Sequence, residues 1–150
     1  HLPVALEALH IDHGLQGAQP DWRSHVDETI GLLGLSVTRV ELALAPASGE
    51  SVEAVAREAR YRVLSELPGS PLIVLAQHRD EQAETLLLQL LRGAGPKGLS
   101  AMPGTFAIGG HAAMRPMLAL DRRDLQSYAE AHEIAWFEDP SFRDLRFDRI

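Results

Sequence analysis

The sequence predicts an α/β domain with a mainly parallel sheet flanked by helices, and three observations lead to that prediction. Strand-like segments alternate with segments whose apolar residues recur at helical spacing. One strand-like segment, PLIVLA (residues 71–76), is a short apolar run of the kind that helices cover on both faces. The chain has 150 residues, of which 45% are hydrophobic, and this suits one domain with a core.

The first half of the chain predicts two strands and two helices. Residues 3–12 (PVALEALHID) are apolar enough for a buried strand, and residues 36–44 (SVTRVELAL) alternate as a strand does. Between them, residues 21–33 carry apolar side chains at helical spacing. A second helix over residues 52–67 follows Ser51, a good N-cap residue. The stripe that this helix is expected to bury consists of Val52, Val55, Ala56, Ala59 and Val63.

The second half predicts a helix over residues 80–91, a loop from residue 93 to 104, and a weak hairpin over residues 106–118 (FAIGGHAAMRPML). A further helix follows over residues 121–132, and residues 134–139 (IAWFED) predict a last short strand. The core stripe of the first of these helices is expected to comprise Ala83, Leu86, Leu87, Leu90 and Leu91.

Composition narrows the class of protein. The net charge is −7, from 14 Lys and Arg against 21 Asp and Glu. Surfaces that bind nucleic acid are usually basic, so a nucleic-acid partner would meet a local patch or another domain.

Cysteine is absent, which fits a reducing compartment. No apolar run approaches the ~18–20 residues that cross a bilayer and no signal peptide is visible, so we expect a cytoplasmic protein without a membrane partner. We interpret the chain as a fragment of a longer protein; its oligomeric state stays open, with a homodimer among the alternatives.

Two strand ends are polar where an α/β sheet would place its ligand crevice, beyond the carboxyl ends of the strands. They are residues 10–14 (HIDHG) and 76–81 (AQHRDE). His10 and His13 flank Asp12 at a spacing that a metal site could use with further ligands, although hydrogen bonding is the more usual role of strand-end histidines.

Three carboxylates follow the second strand end, within two turns of a helix and beside His78. Asp80, Glu81 and Glu84 could simply favour the positive end of the helix dipole, by ~0.3–1 kcal/mol each. Clustered carboxylates could also hold Mg²⁺ through oxygen ligands, or receive an ammonium group. The sequence pattern alone leaves both interpretations open.

Two further segments have a plain and a functional interpretation. In residues 53–64 (EAVAREARYRVL), the arginines could form solvated i,i+4 pairs with glutamates, or Arg60 could turn inward to a phosphate or carboxylate. In residues 92–99 (RGAGPKGL), Gly93 could only end the helix, or the glycines and Lys97 could let the backbone approach a phosphate.

Taken together with RPML (residues 115–118) and FEDPSFRDLRFDR (residues 137–149), these motifs resemble the N-terminal catalytic domain of the tRNA(Ile)-lysidine synthetase family, within the N-type ATP pyrophosphatases of the PP-loop superfamily. The resemblance covers nearly the whole chain, and residues 76–102 are its most specific part. It implies an adenine-nucleotide alpha-hydrolase-like, Rossmann-like fold.

The resemblance also implies a reaction. The family uses ATP and Mg²⁺ to adenylate O2 of the wobble cytidine in the CAU anticodon of tRNA(Ile), with release of pyrophosphate. The ε-amine of L-lysine then displaces AMP, and the tRNA reads AUA instead of AUG. The base has to leave its stack to reach such a pocket.

Carried over by motif, the resemblance assigns Asp80, Glu81 and Glu84 to catalysis, with Asp80 as a Mg²⁺ ligand. Glu81 and Glu84 would bind lysine together with Arg60, whereas Arg115, in an RPLL-like segment, receives no defined role. The residues expected to bind ATP are His10, Ile11, Asp12, His13, His78, Gly93, Gly95 and Lys97.

Three departures from the family pattern matter. The phosphate loop SGGxDS is expected before residue 1, so we expect these 150 residues to be inactive alone. Glu81 replaces a second Asp, and Phe142 and Ile150 stand where the family prefers Asn. The alternatives are another PP-loop enzyme, such as a tRNA thiolase or an amidating synthetase, and a non-catalytic nucleotide-binding relative. Thiolation uses cysteines, and this chain has none.

Overall fold

The computed structural model describes residues 4–12, 20–44, 46–47 and 50–136, with the backbone only for residues 20–23 and 53. These residues fall into two compact units that divide between Arg60 and Tyr61. The predicted residues His13, Phe142 and Ile150 lie outside the described part of the chain.

The first unit confirms the predicted strand–helix–strand order. Strand β1 (Glu7–Asp12) is followed by helix α1 (Pro20–Leu32) and strand β2 (Ser36–Glu41). The two strands are parallel and in register along their whole length, and Leu42 N–H extends the ladder by donating to Asp12 O at 2.7 Å. This is the parallel pairing that a strand–helix–strand segment predicts.

Helix α2 (Val52–Ser65) begins in the first unit and ends in the second. Ser51 precedes it as predicted, and its Oγ accepts a hydrogen bond from Ala54 N–H at 3.4 Å. The predicted stripe is only half-buried except for Ala56, while Leu64, which lay outside that stripe, is buried.

A three-stranded sheet organises the second unit. Strand β3 (Ile73–Val74) pairs in parallel with β5 (His111–Met114), and β5 pairs antiparallel with β4 (Thr105–Ile108). The strand order is therefore β3-β5-β4, and the predicted hairpin is confirmed. Its turn packs tightly on the end of α2, because a Cβ added at Gly109 would stand 2.3 Å from Ser65 Cβ.

Three helices complete the second unit: α3 (Arg79–Leu91), α4 (Pro96–Leu99) and α5 (Arg122–Ala131). The four-residue α4 lies inside the segment that the sequence predicted as loop. Residues 134–136 are irregular, so the predicted last strand does not begin there. No helix in the described ranges is long and apolar enough to cross a membrane.

The prediction that the leucine stripe of α3 lies in the core was wrong. Every residue of that stripe is exposed: Leu86 by 37%, Leu87 by 58%, Leu90 by 51%, Leu91 by 74%, and Ala83 as well. Helical spacing establishes which side chains share a face, but it does not establish that another element covers them. The buried apolar side chains of the described part are Ala56, Leu64, Ile73, Ile108 and Ala113.

Candidate functional site

The first turn of α3 holds the candidate site, and residues 75–78 connect it to strand β3. His78 is the N-cap of α3 in an extended conformation (φ −120°, ψ −178°). The side chain of Glu81, three residues later, reaches back and accepts a hydrogen bond from His78 N–H at 2.9 Å. Glu81 thus satisfies a backbone donor at the helix start, which is the glutamate half of a capping box.

The His78 ring lies close to two carboxylates. Its Nδ1 is 3.4 Å from Asp80 Oδ2, and its Nε2 is 3.7 Å from Glu81 Oε2. The side chain is 21% exposed, and Nδ1 is buried with no hydrogen-bond partner in the described ranges. A protonated His78 would therefore have two negatively charged neighbours, and its buried Nδ1 is a polar atom that the surrounding described structure leaves unsatisfied.

Asp80 joins the start of α3 to the start of α5. Its Oδ2 accepts a hydrogen bond at 2.9 Å from the backbone N–H of Arg122, the first residue of α5. That hydrogen bond is the main cause that lowers the pKa of Asp80 from its ordinary value, and the nearby charge of His78 acts in the same direction. Asp80 is thus an ionised carboxylate placed at the positive end of a second helix.

Arg79 also joins the start of α3 to the start of α5, with a positively charged side chain. Its guanidinium donates to Asp121 Oδ1 at 2.8 Å and also contacts Ala119 O, while its backbone N–H donates to Leu120 O at 3.0 Å. The starts of α3 and α5 are consequently joined by hydrogen bonds that Arg79 donates and by one that Asp80 accepts. This arrangement fixes the acidic turn against the second helix.

Glu84 lies one turn farther along α3 and is exposed. Residues three apart are neighbours on a helix surface, so the backbone of α3 places Glu84 next to Glu81. The helix capping already described uses Glu81 and Asp80 but not Glu84. Of the three predicted carboxylates, Glu84 is thus the one that lies beyond the first turn of α3.

The glycine-rich segment after α3 begins with a Schellman motif. Gly93 adopts a left-handed conformation (φ +67°), Gly93 N–H donates to Leu90 O at 3.0 Å, and Ala94 N–H donates to Gln89 O at 2.9 Å. The helix-stop interpretation of Gly93 is therefore confirmed, one position beyond the C-cap Arg92.

The backbone of the following turn is also engaged internally. Gly95 is the N-cap of α4, and its carbonyl accepts from Gly98 N–H at 2.9 Å and from Leu99 N–H at 3.2 Å. Those amides do not point away from the chain to receive a phosphate. The exposed Lys97 side chain is the group of this segment best suited to meet an anion.

The comparisons with known proteins are clear about the family. The PP-loop domain family matches residues 2–150. This chain belongs to the PP-loop domain family.

Two relatives of this PP-loop domain are the tRNA(Ile)-lysidine synthases of Pseudomonas aeruginosa, 48% identical over 97% of this chain and 33% of the relative, and of Coxiella burnetii, 45% identical over 98% of this chain and 33% of the relative. The chain thus spans about one third of the length of these relatives. Among solved structures, the U34-tRNA thiolase NcsA from Methanococcus maripaludis with its [4Fe-4S] cluster matches with a TM-score of 0.69 at 16% identity. That match covers 96% of this chain and 54% of the thiolase, and it confirms the predicted α/β fold.

Other predicted site residues of the PP-loop domain lie in its first unit. His10, Ile11 and Asp12 are half-buried at the carboxyl end of β1, where the parallel pairing with β2 ends. Arg60 is half-buried on α2, at the last position of the first unit. The second unit brings His78, Asp80 and Glu81 together, with Glu84 on the next turn.

The domain also contains two polar residues to which the sequence assigned no role. Arg115 is only 5% exposed, and Gln82 lies on α3 between Glu81 and Glu84. Both bond to residues 20 or more positions away, and their sequence context gave a single weak signal, the Arg-Pro pair at the end of the predicted hairpin.

The described part of the domain does not form a complete metal cage. No three His, Cys, Asp or Glu side chains of the described residues converge on a point that could hold a metal ion. Mg²⁺ usually takes only one or two protein carboxylates and completes its shell with waters and substrate phosphates. The Asp80 carboxylate would suit such a site as one of its few protein ligands. One of its two oxygens already accepts the hydrogen bond from Arg122 N–H.

Proposed function

We propose that the protein containing this chain is a tRNA(Ile)-lysidine synthase. It uses ATP to adenylate the wobble cytidine of the CAU anticodon of tRNA(Ile), and it couples L-lysine to that base, so that the codon read changes from AUG to AUA. The observation that carries the proposal is the acidic start of α3, with His78, Asp80 and Glu81 together and Glu84 adjacent, in a chain 48% identical to such an enzyme.

The first step needs groups that bind the nucleotide. Cytidine O2 attacks the α-phosphorus of ATP, and pyrophosphate leaves. Lys97 and Gly95, with Gly93 fixing the turn before them, meet the phosphates, and His78 of the same unit also binds the nucleotide. By motif, His10, Ile11, Asp12 and His13 are assigned to the adenosine of ATP. Asp80 would hold Mg²⁺ through a carboxylate oxygen, and the bound ion would supply positive charge to offset that of the pyrophosphate.

The second step needs groups that bind lysine and take up a proton. The lysine ε-amine attacks C2 of the adenylated base, and AMP leaves with the former O2. The ε-ammonium has an ordinary pKa of about 10.4, so it must lose a proton before it can attack. Glu84 and Glu81 attract the ammonium groups of lysine, and Glu84, whose side chain is exposed, receives that proton. The guanidinium of Arg60 pairs with the carboxylate of lysine.

The thiolase alternative receives no support from these residues. The solved structure of the thiolase NcsA contains a [4Fe-4S] cluster, and such clusters are held by cysteine thiolates. The 150 residues of this chain contain no cysteine. Its likeness to that structure is therefore a likeness of fold.

The proposed function is tested with the full-length protein encoded by the gene. With ATP, Mg²⁺ and tRNA(Ile) bearing CAU, we expect labelled lysine to enter the tRNA and AMP to appear only when lysine is present. A tRNA with a different wobble base serves as the control and is expected to accept no lysine. Absence of lysine-dependent AMP release from the full-length protein would refute the proposal. Residues 1–150 alone are expected to be inactive in the same assay.

A further inference from the structure

Residues 93–104, which we call the strap, turn back and run along α3 in the opposite direction. Near its start, the strap lies against Gln89, because a Cβ added at Gly98 would stand 3.5 Å from Gln89 Oε1 and 2.7 Å from Ala94 Cβ. Near its end, Met102 lies against Gln82. Gln89 and Gln82 are two turns apart, about 10.5 Å along the helix axis. The strap thus returns from the last turn of α3 to its first.

Gln82 fixes the far end of the strap through both ends of its amide. Its Nε2 donates to Met102 O at 2.8 Å, and its Oε1 accepts from Met102 N–H at 2.8 Å. A primary amide can match the N–H and the C=O of one residue in this way, because it carries a donor and an acceptor on one rigid group. A carboxylate of the same shape has no N–H to donate to the carbonyl.

Arg115 fixes the next residues of the strap from the sheet side. Its Nη1 donates to Pro103 O at 2.9 Å, and its backbone N–H donates to Gly104 O at 2.8 Å. Its Nε donates at 2.9 Å to Gln77 Oε1, directly before His78. The same guanidinium therefore connects the strap to the strand end that leads into α3.

The guanidinium of Arg115 is buried without an ion pair to any described carboxylate. It is compensated by neutral partners: Tyr61, whose hydroxyl accepts from Nη2 at 3.1 Å, and the ring of Phe106, whose centroid is 3.9 Å from Cζ. A buried cation is costly unless it is hydrogen-bonded. This arrangement is consequently rigid, because any displacement of the strap removes an acceptor from Arg115.

We propose that Gln82 and Arg115 are positioning residues, which hold the strap against α3 and so fix Lys97 relative to the carboxylates of α3. The inference rests on the proposed function, in which Lys97 meets the phosphates of ATP and Glu84 meets lysine. Neither Gln82 nor Arg115 contacts a reacting atom in this proposal. If the strap loosens, Lys97, which meets ATP, is displaced. Glu84, which meets lysine, keeps its position on α3.

Proteolysis tests the mechanical part of this inference without any assay of activity. Trypsin is added to the full-length protein, and cleavage of the Lys97–Gly98 bond is followed by mass spectrometry. Gln82→Ala and the isosteric Gln82→Glu are each expected to accelerate that cleavage about tenfold, since Ala removes both hydrogen bonds to Met102 and Glu removes the one donated to the Met102 carbonyl. Gln89→Ala is the matched control, because the described structure gives that side chain no hydrogen bond to the strap. Equal cleavage of all variants and wild type would overturn the inference, as would acceleration by Ala but not by Glu.

Steady-state kinetics of the full-length protein test the positioning part. Gln82→Ala is expected to raise the KM for ATP about tenfold and the KM for lysine less than twofold, as expected when one of two binding sites is displaced. An equal rise in both KM values would overturn the assigned role. If wild-type protein shows no lysine-dependent activity, the proposed function fails, while the proteolysis still decides whether Gln82 holds the strap.

Arg115→Lys provides a second variant that keeps the charge but cannot reproduce three directed N–H groups. It is expected to accelerate cleavage at Lys97 in the same way, with the fold checked by circular dichroism. Cleavage at the wild-type rate in a folded Arg115→Lys protein would remove Arg115 from the proposal and leave Gln82 alone in it.

Discussion

The starts of α3 and α5 use the same capping device, although only α3 belongs to the candidate site. In α5, Asp124 accepts a hydrogen bond from Asp121 N–H at 3.1 Å; in α3, Glu81 accepts one from His78 N–H at 2.9 Å. Each is an acidic residue at the third helical position that satisfies the N-cap amide. An acidic residue at this position is therefore explained by capping alone, and the acidity of Glu81 is by itself no evidence of a site.

What distinguishes α3 is the chemistry that capping leaves unexplained. Its N-cap is His78, whose Nδ1 is buried without a described partner, whereas α5 has Asp121 at that position. Asp80 accepts a hydrogen bond from the first residue of the neighbouring helix α5. Glu84 lies beyond the first turn of α3, where the favourable effect of the helix dipole has fallen off. The residues at the start of α3 that capping of a helix end does not explain are therefore His78 and Glu84.

The largest expected effect is on Glu84. Replacing it by glutamine in the full-length protein removes the charge that attracts lysine and the group that takes up its proton. We expect kcat/KM for lysine to fall about 100-fold, a loss of ~2.7 kcal/mol in transition-state stabilisation. The free energy of unfolding should change by less than ~0.5 kcal/mol, because the side chain is exposed.

Glu130→Gln on the exposed face of α5 is the matched control and should leave both quantities unchanged. A Glu84 variant that lost stability in proportion to its activity would show that the carboxylate supports the helix rather than the reaction. The two helix starts would then differ less than we infer.

The capping role itself predicts equal stability losses at the two helix starts. Glu81→Ala and Asp124→Ala should each lower the free energy of unfolding by about 1 kcal/mol, because each leaves an N-cap amide without its acceptor. Glu81→Gln keeps a side-chain oxygen and should lose less than half of that. Chemical denaturation of the three variants measures the difference. A loss at Glu81 alone would mean that the two caps are not equivalent.

The C-terminal ends of the same helices extend the comparison. Both end in a Schellman motif, with Gly93 at φ +67° after α3 and Glu133 at φ +54° after α5. Gly93→Ala should lower the free energy of unfolding by about 1 kcal/mol, since a Cβ is disfavoured in this conformation. Glu133→Gly should raise it by about 0.5 kcal/mol, as relief of that strain exceeds the entropy that glycine loses. Thermal melts of the two variants should shift in opposite directions; shifts of the same sign would contradict this account.

These local features were largely predictable because short-range patterns determine them. Helix α3 begins one residue before its predicted start and ends where predicted, and Gly93 ends it because only backbone geometry at that residue is involved. The hairpin around Gly109 was predictable for the same reason. The strand–helix–strand order of the first unit followed from alternating periodicity.

Long-range partners were not predictable from the same patterns. Gln82 bonds to Met102, 20 residues away, and Arg115 to Tyr61, 54 residues away, so no spacing along the chain reveals them. The leucine face of α3 failed as a core prediction because its periodicity carries no information about what covers it. Asp80 was predicted to be functional, and its bond to Arg122, 42 residues on, shows a structural role that no local pattern indicates.

The smallest expected effect concerns the pH dependence that Asp80 gives to stability. The Arg122 N–H lowers the pKa of Asp80 in the folded state below its ordinary value of 3.8, so the folded protein binds the proton less readily than the unfolded chain. The contribution is therefore fully present above the unfolded pKa and is lost as the pH falls through the folded pKa. In EDTA, to exclude metal binding, denaturation of wild type below pH 4 should show a steeper loss of stability than Asp80→Asn, whose amide oxygen still accepts from Arg122 but does not titrate. Parallel pH profiles would show that the bond to α5 stabilises the charged and neutral forms of Asp80 equally, and the joining of the two helix starts would then not depend on charge.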